Sequence, residues 1–162
     1  MTPSPRRYHR PTIKLTSRHL PETTLAPKLP FDAEPGYDPK TTNYTLLIVD
    51  PDVPSPAIPA DALKFFLHMG VYDVHPNPGC GGKGGTLKTY RPYEALTPGS
   101  VLPHRYTFLV YRQPKGVFTP TPTAAQVGGT MFDLQKFVSD NKLTLVGGNF
   151  LLEGISTAGD SG

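Results

Sequence analysis

Apolar residues along this chain gather into short runs, set between stretches dense in proline and glycine. Tyr44 to Val49, YTLLIV, is a run of β-formers and reads as a buried strand. It stops at DPDVPSP, where the prolines withhold the donors that a ladder needs, so a rigid loop follows. Phe65 to Val74, FFLHMGVYDV, is a second β-like run, and PNPGCGGKGG behind it is too rich in glycine for anything but a loop. Thr86 to Tyr93 predicts a weak strand. His104 to Tyr111, HRYTFLVY, is the clearest one: a period of 2 puts His104, Tyr106, Phe108 and Val110 on one face and Arg105 on the other. Pro114 to Gly129 has no period and reads as a flexible connection. The single predicted helix starts at Thr130 as its cap, with Asp133 placed as in a capping box and Met131, Leu134, Phe137 and Val138 as its apolar stripe. Leu143 to Val146 and Asn149 to Leu152 then predict a last strand, broken by Gly147 and Gly148.

Composition turns this pattern into a fold class. A length of 162 residues with 37% hydrophobic content suits one domain, 1–162, with one ordinary core. The 20 prolines and 16 glycines act against long helices, so a mainly β fold is expected. Within it, residues 1–43 form an irregular, proline-rich segment with one alternating piece at Thr12 to Leu15. Residues 44–154 hold the core, and 155–162 form a flexible polar tail. A net charge of +3 on only 18% charged residues is too mild to indicate nucleic acid, although Arg6, Arg7, Arg10, Lys14 and Arg18 cluster early. Cys80 is the only cysteine, which excludes an internal disulfide framework and fits a reducing compartment. No apolar run is long enough to cross a bilayer, and none follows the basic MTPSPRRYHRP start. A soluble, cytoplasmic protein is the expectation.

Polar residues with possible chemistry lie at or near strand ends: Asp50 and Asp52 in the proline loop, His68, and His104 with Tyr106. Imidazole N–H groups and a phenol O–H on rigid strands are donors for a phosphate or carboxylate, and nearby aspartates can hold the far nitrogen of each ring. Each residue also has a purely structural reading. His68 and His104 can be satisfied core or rim residues, the aspartates flanking Pro51 can serve turn geometry, and Tyr106 can be core. Catalytic readings are weaker. There is no GxSxG elbow, and Ser100 approaches His104 only in sequence. GCGGKGG departs from phosphate-loop spacing, since Asn77 stands at the first glycine position and Gly84 follows Lys83. His75 and Cys80 alone leave a metal without enough ligands. No catalytic residue, metal or cofactor is expected.

The order YTLLIVDPDVPS, LHMGVYDV, PHRYTFLVYRQP, then a short helix and GGNFLLEG resembles the phosphatidylethanolamine-binding protein family over residues 44–154. The Asp50 to Pro54 motif, His68 and the His104 to Tyr106 triplet carry the resemblance, and the proline before that triplet with the YRQP after it is most similar to fungal members. The resemblance implies a β-sandwich of Greek-key antiparallel sheets with one short helix near the C-terminus and a shallow anion cavity. It also implies a non-enzymatic regulator binding a phospholipid headgroup or another phosphate-containing molecule, with a protein kinase or a serine carboxypeptidase as partner classes. Position by position it nominates Asp50, Asp52, Pro54, His68, Pro98, His104 and Tyr106 for the pocket. The imidazoles and the Tyr106 hydroxyl are then the donors, Asp50 the orienting acceptor, and Pro54 and Pro98 the walls. Glu94 and Leu96 are expected on the rim.

Overall fold

The computed structural model describes residues 26, 31–53, 64–76, 88–94, 96, 102–121 and 132–154. Their strands, in chain order, are β1 Tyr44–Asp50, β2 Lys64–Val74, β3 Lys88–Arg91, β4 His104–Arg112, β5 Phe132–Asp133 and β6 Thr144–Glu153, with the helix α1, Leu134–Asp140, before β6. The sheet runs β3-β2-β1-β4-β6, with β5 paired to the start of β2, and every pairing is antiparallel. The mainly β, antiparallel class with one short helix is thus the observed one.

β1 lies at the centre because its sequence allows nothing else. All seven of its residues are buried, so both sheet faces over it must be covered. On one face Tyr44, Leu46 and Ile48 pack with Met69, Val71, Tyr106, Phe108 and Val110, under Phe31 and Leu96. On the other, Leu47 and Val49 meet Leu67, Tyr111 and Phe118, with Phe132, Phe137 and Leu143 brought in by β5, α1 and the turn after it. The period of 2 expected in β4 holds, with His104, Tyr106, Phe108 and Val110 buried and Arg105 exposed.

Three local expectations are corrected. α1 begins at Leu134, and Asp133 is itself the cap, its carboxylate accepting from the Lys136 amide; Thr130 and Met131 lie outside the described residues. An aspartate before an apolar stripe fits either the cap or the third helical position, and sequence alone does not separate them. β6 is continuous through Gly147 and Gly148, which pair with Val110 and Leu109 of β4. Gly148 fits closely there: a Cβ would lie 3.0 Å from the Phe108 carbonyl oxygen and 3.2 Å from Leu109 Cδ2, tighter than ordinary contact. Leu96 is no rim residue but part of the core, 1% exposed. The expected strand at Thr12 to Leu15 falls outside the described residues. Among the described residues no helix is long and apolar enough to cross a membrane.

Candidate functional site

One end of the sheet collects the polar residues. β1 finishes there at Asp50, β4 starts there at His104, β6 finishes there opposite it, pairing Glu153 with His104, and the first half of β2 passes alongside. Asp50 and His104 share parity with the core residues of the first face, so both point into the same layer as Tyr106.

His68 reaches that layer through a β-bulge. Ile48 pairs with Met69 and Val49 with Leu67, which leaves His68 as the extra residue of β2. A bulge changes the parity of a strand and re-aims a side chain. Leu67 thus packs on the second face while Met69 packs on the first, and the His68 ring stands against Tyr106, centroids 5.2 Å apart and nearly perpendicular, with Phe66 at 4.5 Å. His104 lies parallel to Tyr106 at 6.3 Å. His68, His104 and Tyr106 are all buried, as are Asp50 and Asp52.

Hydrogen bonds fix both rings. His104 Nδ1 donates to Asp50 Oδ2 at 2.6 Å, and Asp50 Oδ1 accepts the Asp52 amide at 2.7 Å. His68 Nδ1 donates to the carbonyl of Glu94 at 3.0 Å, while the Glu94 amide donates to the His68 carbonyl. The Glu94 side chain pairs with Arg91, whose Nε donates to the Leu67 carbonyl at 3.2 Å. Burial, outweighing the Glu94 bond and the nearby Asp50, holds the His68 imidazole below its ordinary range. The Tyr106 hydroxyl is buried without a hydrogen-bond partner among the described residues. Burial first, then the charges of Asp50 and Glu153, push it well above the usual phenol range, so it stays a donor.

Asp52 does something other than expected. It receives Arg105 rather than an imidazole: the Arg105 amide at 2.7 Å, Nε at 2.9 Å and Nη2 at 2.7 Å. The guanidinium holds the Asp52 carboxyl below the usual carboxylate range, and the fork ties the DPD turn to the start of β4. Of the seven nominated residues, Asp50, His68, His104 and Tyr106 come together, Asp52 braces them, and Pro54 and Pro98 lie outside the described residues. Glu94, whose backbone carbonyl sets the His68 ring, was not among them; a backbone acceptor leaves no mark in a sequence.

A family model described as phosphatidylethanolamine-binding protein matches residues 10–151. The chain belongs to the phosphatidylethanolamine-binding protein family. The 26 kDa secreted antigen of Toxocara canis is 36% identical over 94 residues, 58% of this chain and 32% of that protein. The protein SELF-PRUNING of Solanum lycopersicum is 32% identical over 100 residues, 62% of this chain and 51% of that protein. The chain therefore matches about a third to a half of the length of these relatives. Among solved structures, a carboxypeptidase Y inhibitor complexed with its cognate proteinase is 27% identical, covering 79% of this chain and 69% of that one with a TM-score of 0.57. The phosphatidylethanolamine-binding protein of Plasmodium vivax, 22% identical, shares the fold over 82% of this chain and 73% of that one, with a TM-score of 0.59. In this family member, then, two tethered imidazoles and a buried phenol form one cluster. Such a cluster can hold a small polar ligand; among the described residues no group of acidic, histidine or cysteine side chains is arranged to hold a metal.

Proposed function

We propose that this chain binds a phosphate-type anion, a phospholipid headgroup or a phosphorylated group, between His68, His104 and Tyr106, and acts as a non-enzymatic regulator of a partner protein. The observation that carries the reading is the Tyr106 hydroxyl, 0% exposed and without a partner among the described residues. Burying an unpaired hydroxyl costs about 1–3 kcal/mol, and a bound anion accepting from it removes that cost. His104 on Asp50 has the form of the base half of a hydrolase triad; in this reading the pair orients a ligand-binding ring, and ester or phosphate substrates are bound without turnover. A cytoplasmic location and a fungal source belong to the same proposal, the first from the single cysteine, the second from the PHRY and YRQP segments.

Calorimetry with phosphate on the wild type and on Tyr106→Phe tests it. A few charge-assisted hydrogen bonds give a millimolar to high-micromolar Kd, and removing the hydroxyl weakens binding about tenfold. The same variant loses no internal bond among the described residues, so its ligand-free form unfolds no earlier than wild type. Absence of phosphate binding at tens of millimolar would sink the proposal.

A second reading is favoured by the likeness to the carboxypeptidase Y inhibitor: inhibition of a serine carboxypeptidase through the N-terminal segment and surface loops, with the pocket secondary. A pull-down with and without residues 1–30, which spares the core residue Phe31, separates the two. Capture lost on deletion supports the inhibitor reading, and capture unchanged by deletion but weakened by phosphate supports the pocket.

A further inference from the structure

Both imidazoles are committed at Nδ1. His68 Nδ1 faces the Glu94 carbonyl, and a carbonyl only accepts, so that nitrogen carries its hydrogen whatever the charge of the ring. His104 Nδ1 faces Asp50 Oδ2, while the other oxygen of that carboxylate takes the Asp52 amide, so the hydrogen of this contact also sits on Nδ1. A neutral imidazole has one N–H. Nε2 of a neutral His68 ring is therefore an acceptor, and beside it the Tyr106 hydroxyl is a donor. That set is mismatched to an anion made only of acceptor oxygens and matched to one that brings a hydrogen.

Resting on the anion reading above, we propose that the site selects phosphates bearing an ionisable P–O–H, inorganic phosphate or a phosphomonoester, over the phosphodiester of a lipid headgroup, and that binding is coupled to a proton. The ligand's P–O–H donates to Nε2 of His68, and Tyr106 donates to a second ligand oxygen. Whether the hydrogen finally rests on oxygen or on Nε2, the complex holds one proton more than a phosphate dianion and a neutral His68 ring. Binding of the dianion thus takes one up from solvent. A phosphomonoester gives up its second proton at about pH 6, so a proton-bearing form is at hand near neutrality; a diester has none to offer and depends on the His68 ring being charged.

The surroundings keep His68 an acceptor at rest. His68 on β2 is faced by Asp50 of β1, Arg91 of β3 with Glu94 just beyond it, and Tyr106 of β4; His104, Glu153 of β6 and Tyr93 bear on Tyr106. Desolvation prevails over the two carboxylates, and the His68 ring is neutral at pH 7.

Calorimetry on the full chain at pH 7.5 with phosphoethanolamine, inorganic phosphate and glycerophosphoethanolamine tests this, because the first and third share an amine and differ in ester class. Buffers of different ionisation enthalpy count the protons. The two proton-bearing ligands are expected to bind at least about tenfold tighter than the diester, with uptake approaching one proton, and the gap narrows at pH 5 as His68 gains charge. His68→Gln, whose amide donates without taking up a proton, narrows the gap already at pH 7.5. Equal affinity for monoester and diester with no proton uptake overturns the proposal and leaves the anion site standing. No binding of any of the three at either pH overturns both.

Discussion

His104 opens β4, where a side chain is ordinarily half-wet, yet it is 2% exposed and bonded to an equally buried Asp50. Removing one partner of a buried polar pair strands the other, so His104→Ala is expected to lower stability by about 3 kcal/mol. Arg105, whose side chain is 57% exposed, braces Asp52 from outside. Its loss leaves Asp52 the Arg105 backbone amide, and Arg105→Ala is expected to cost about 1 kcal/mol. Urea unfolding of both variants checks the order; a larger loss from Arg105→Ala would contradict the assignment of Asp50 and His104 as the buried pair. His68 adds a dependence on pH. Its folded-state affinity for protons is depressed by burial, so below about pH 6.5 the unfolded chain binds a proton that the folded one refuses. The contribution of His68 is thus full above that pH and is lost as the pH falls through the imidazole range. Melting temperatures of wild type and His68→Gln between pH 7.5 and 5 should diverge, with the wild type falling more steeply and saturating phosphate offsetting part of the fall.

At the scale of elements, the fold depends on a bulge, a close approach and two helix ends, and the first two bear on the site. The bulge at His68 was not legible, because two residues opposing one is a property of the pairing of β2 with β1 and not of the string FFLHMGV. Gly148 reads as a strand breaker in isolation and in fact sits within β6, close against the Phe108 carbonyl of β4. Gly148→Ala should therefore cost about 1–3 kcal/mol by pushing on the backbone of Phe108, two residues from Tyr106. α1 carries two opposite expectations. Asp133→Ala removes the cap and costs about 1 kcal/mol. Lys142 follows the C-cap Asn141 at φ 52°, a left-handed position closed by the Leu143 amide on the Val138 carbonyl, so Lys142→Gly should gain about 0.5–1 kcal/mol. Thermal or urea midpoints test all three, and a stabilising Gly148→Ala would mean that β4 yields by the few tenths of an ångström a Cβ needs.

At the scale of the molecule, the parts of the fold legible in advance were those set by local pattern. YTLLIV had to be a strand buried on both faces, and HRYTFLVY had to present His104 and Tyr106 together. What escaped was set by partners distant in sequence: the Glu94 carbonyl behind His68, the Arg105 fork on Asp52, and the place of Leu96 in the core. Asp50 illustrates the boundary, since its turn role and its role as orienting acceptor, alternatives on the sequence, are both realised, one on each oxygen. The whole assembly serves one end of one sheet, and the claim that this end holds an anion has a direct test. In a phosphate titration followed by imidazole NMR at pH 6.5, the His68 and His104 ring signals should move together and saturate with a single millimolar to high-micromolar Kd, while exposed His75, held by Tyr37, stays still. Unmoved His68 and His104 signals at tens of millimolar phosphate would contradict it.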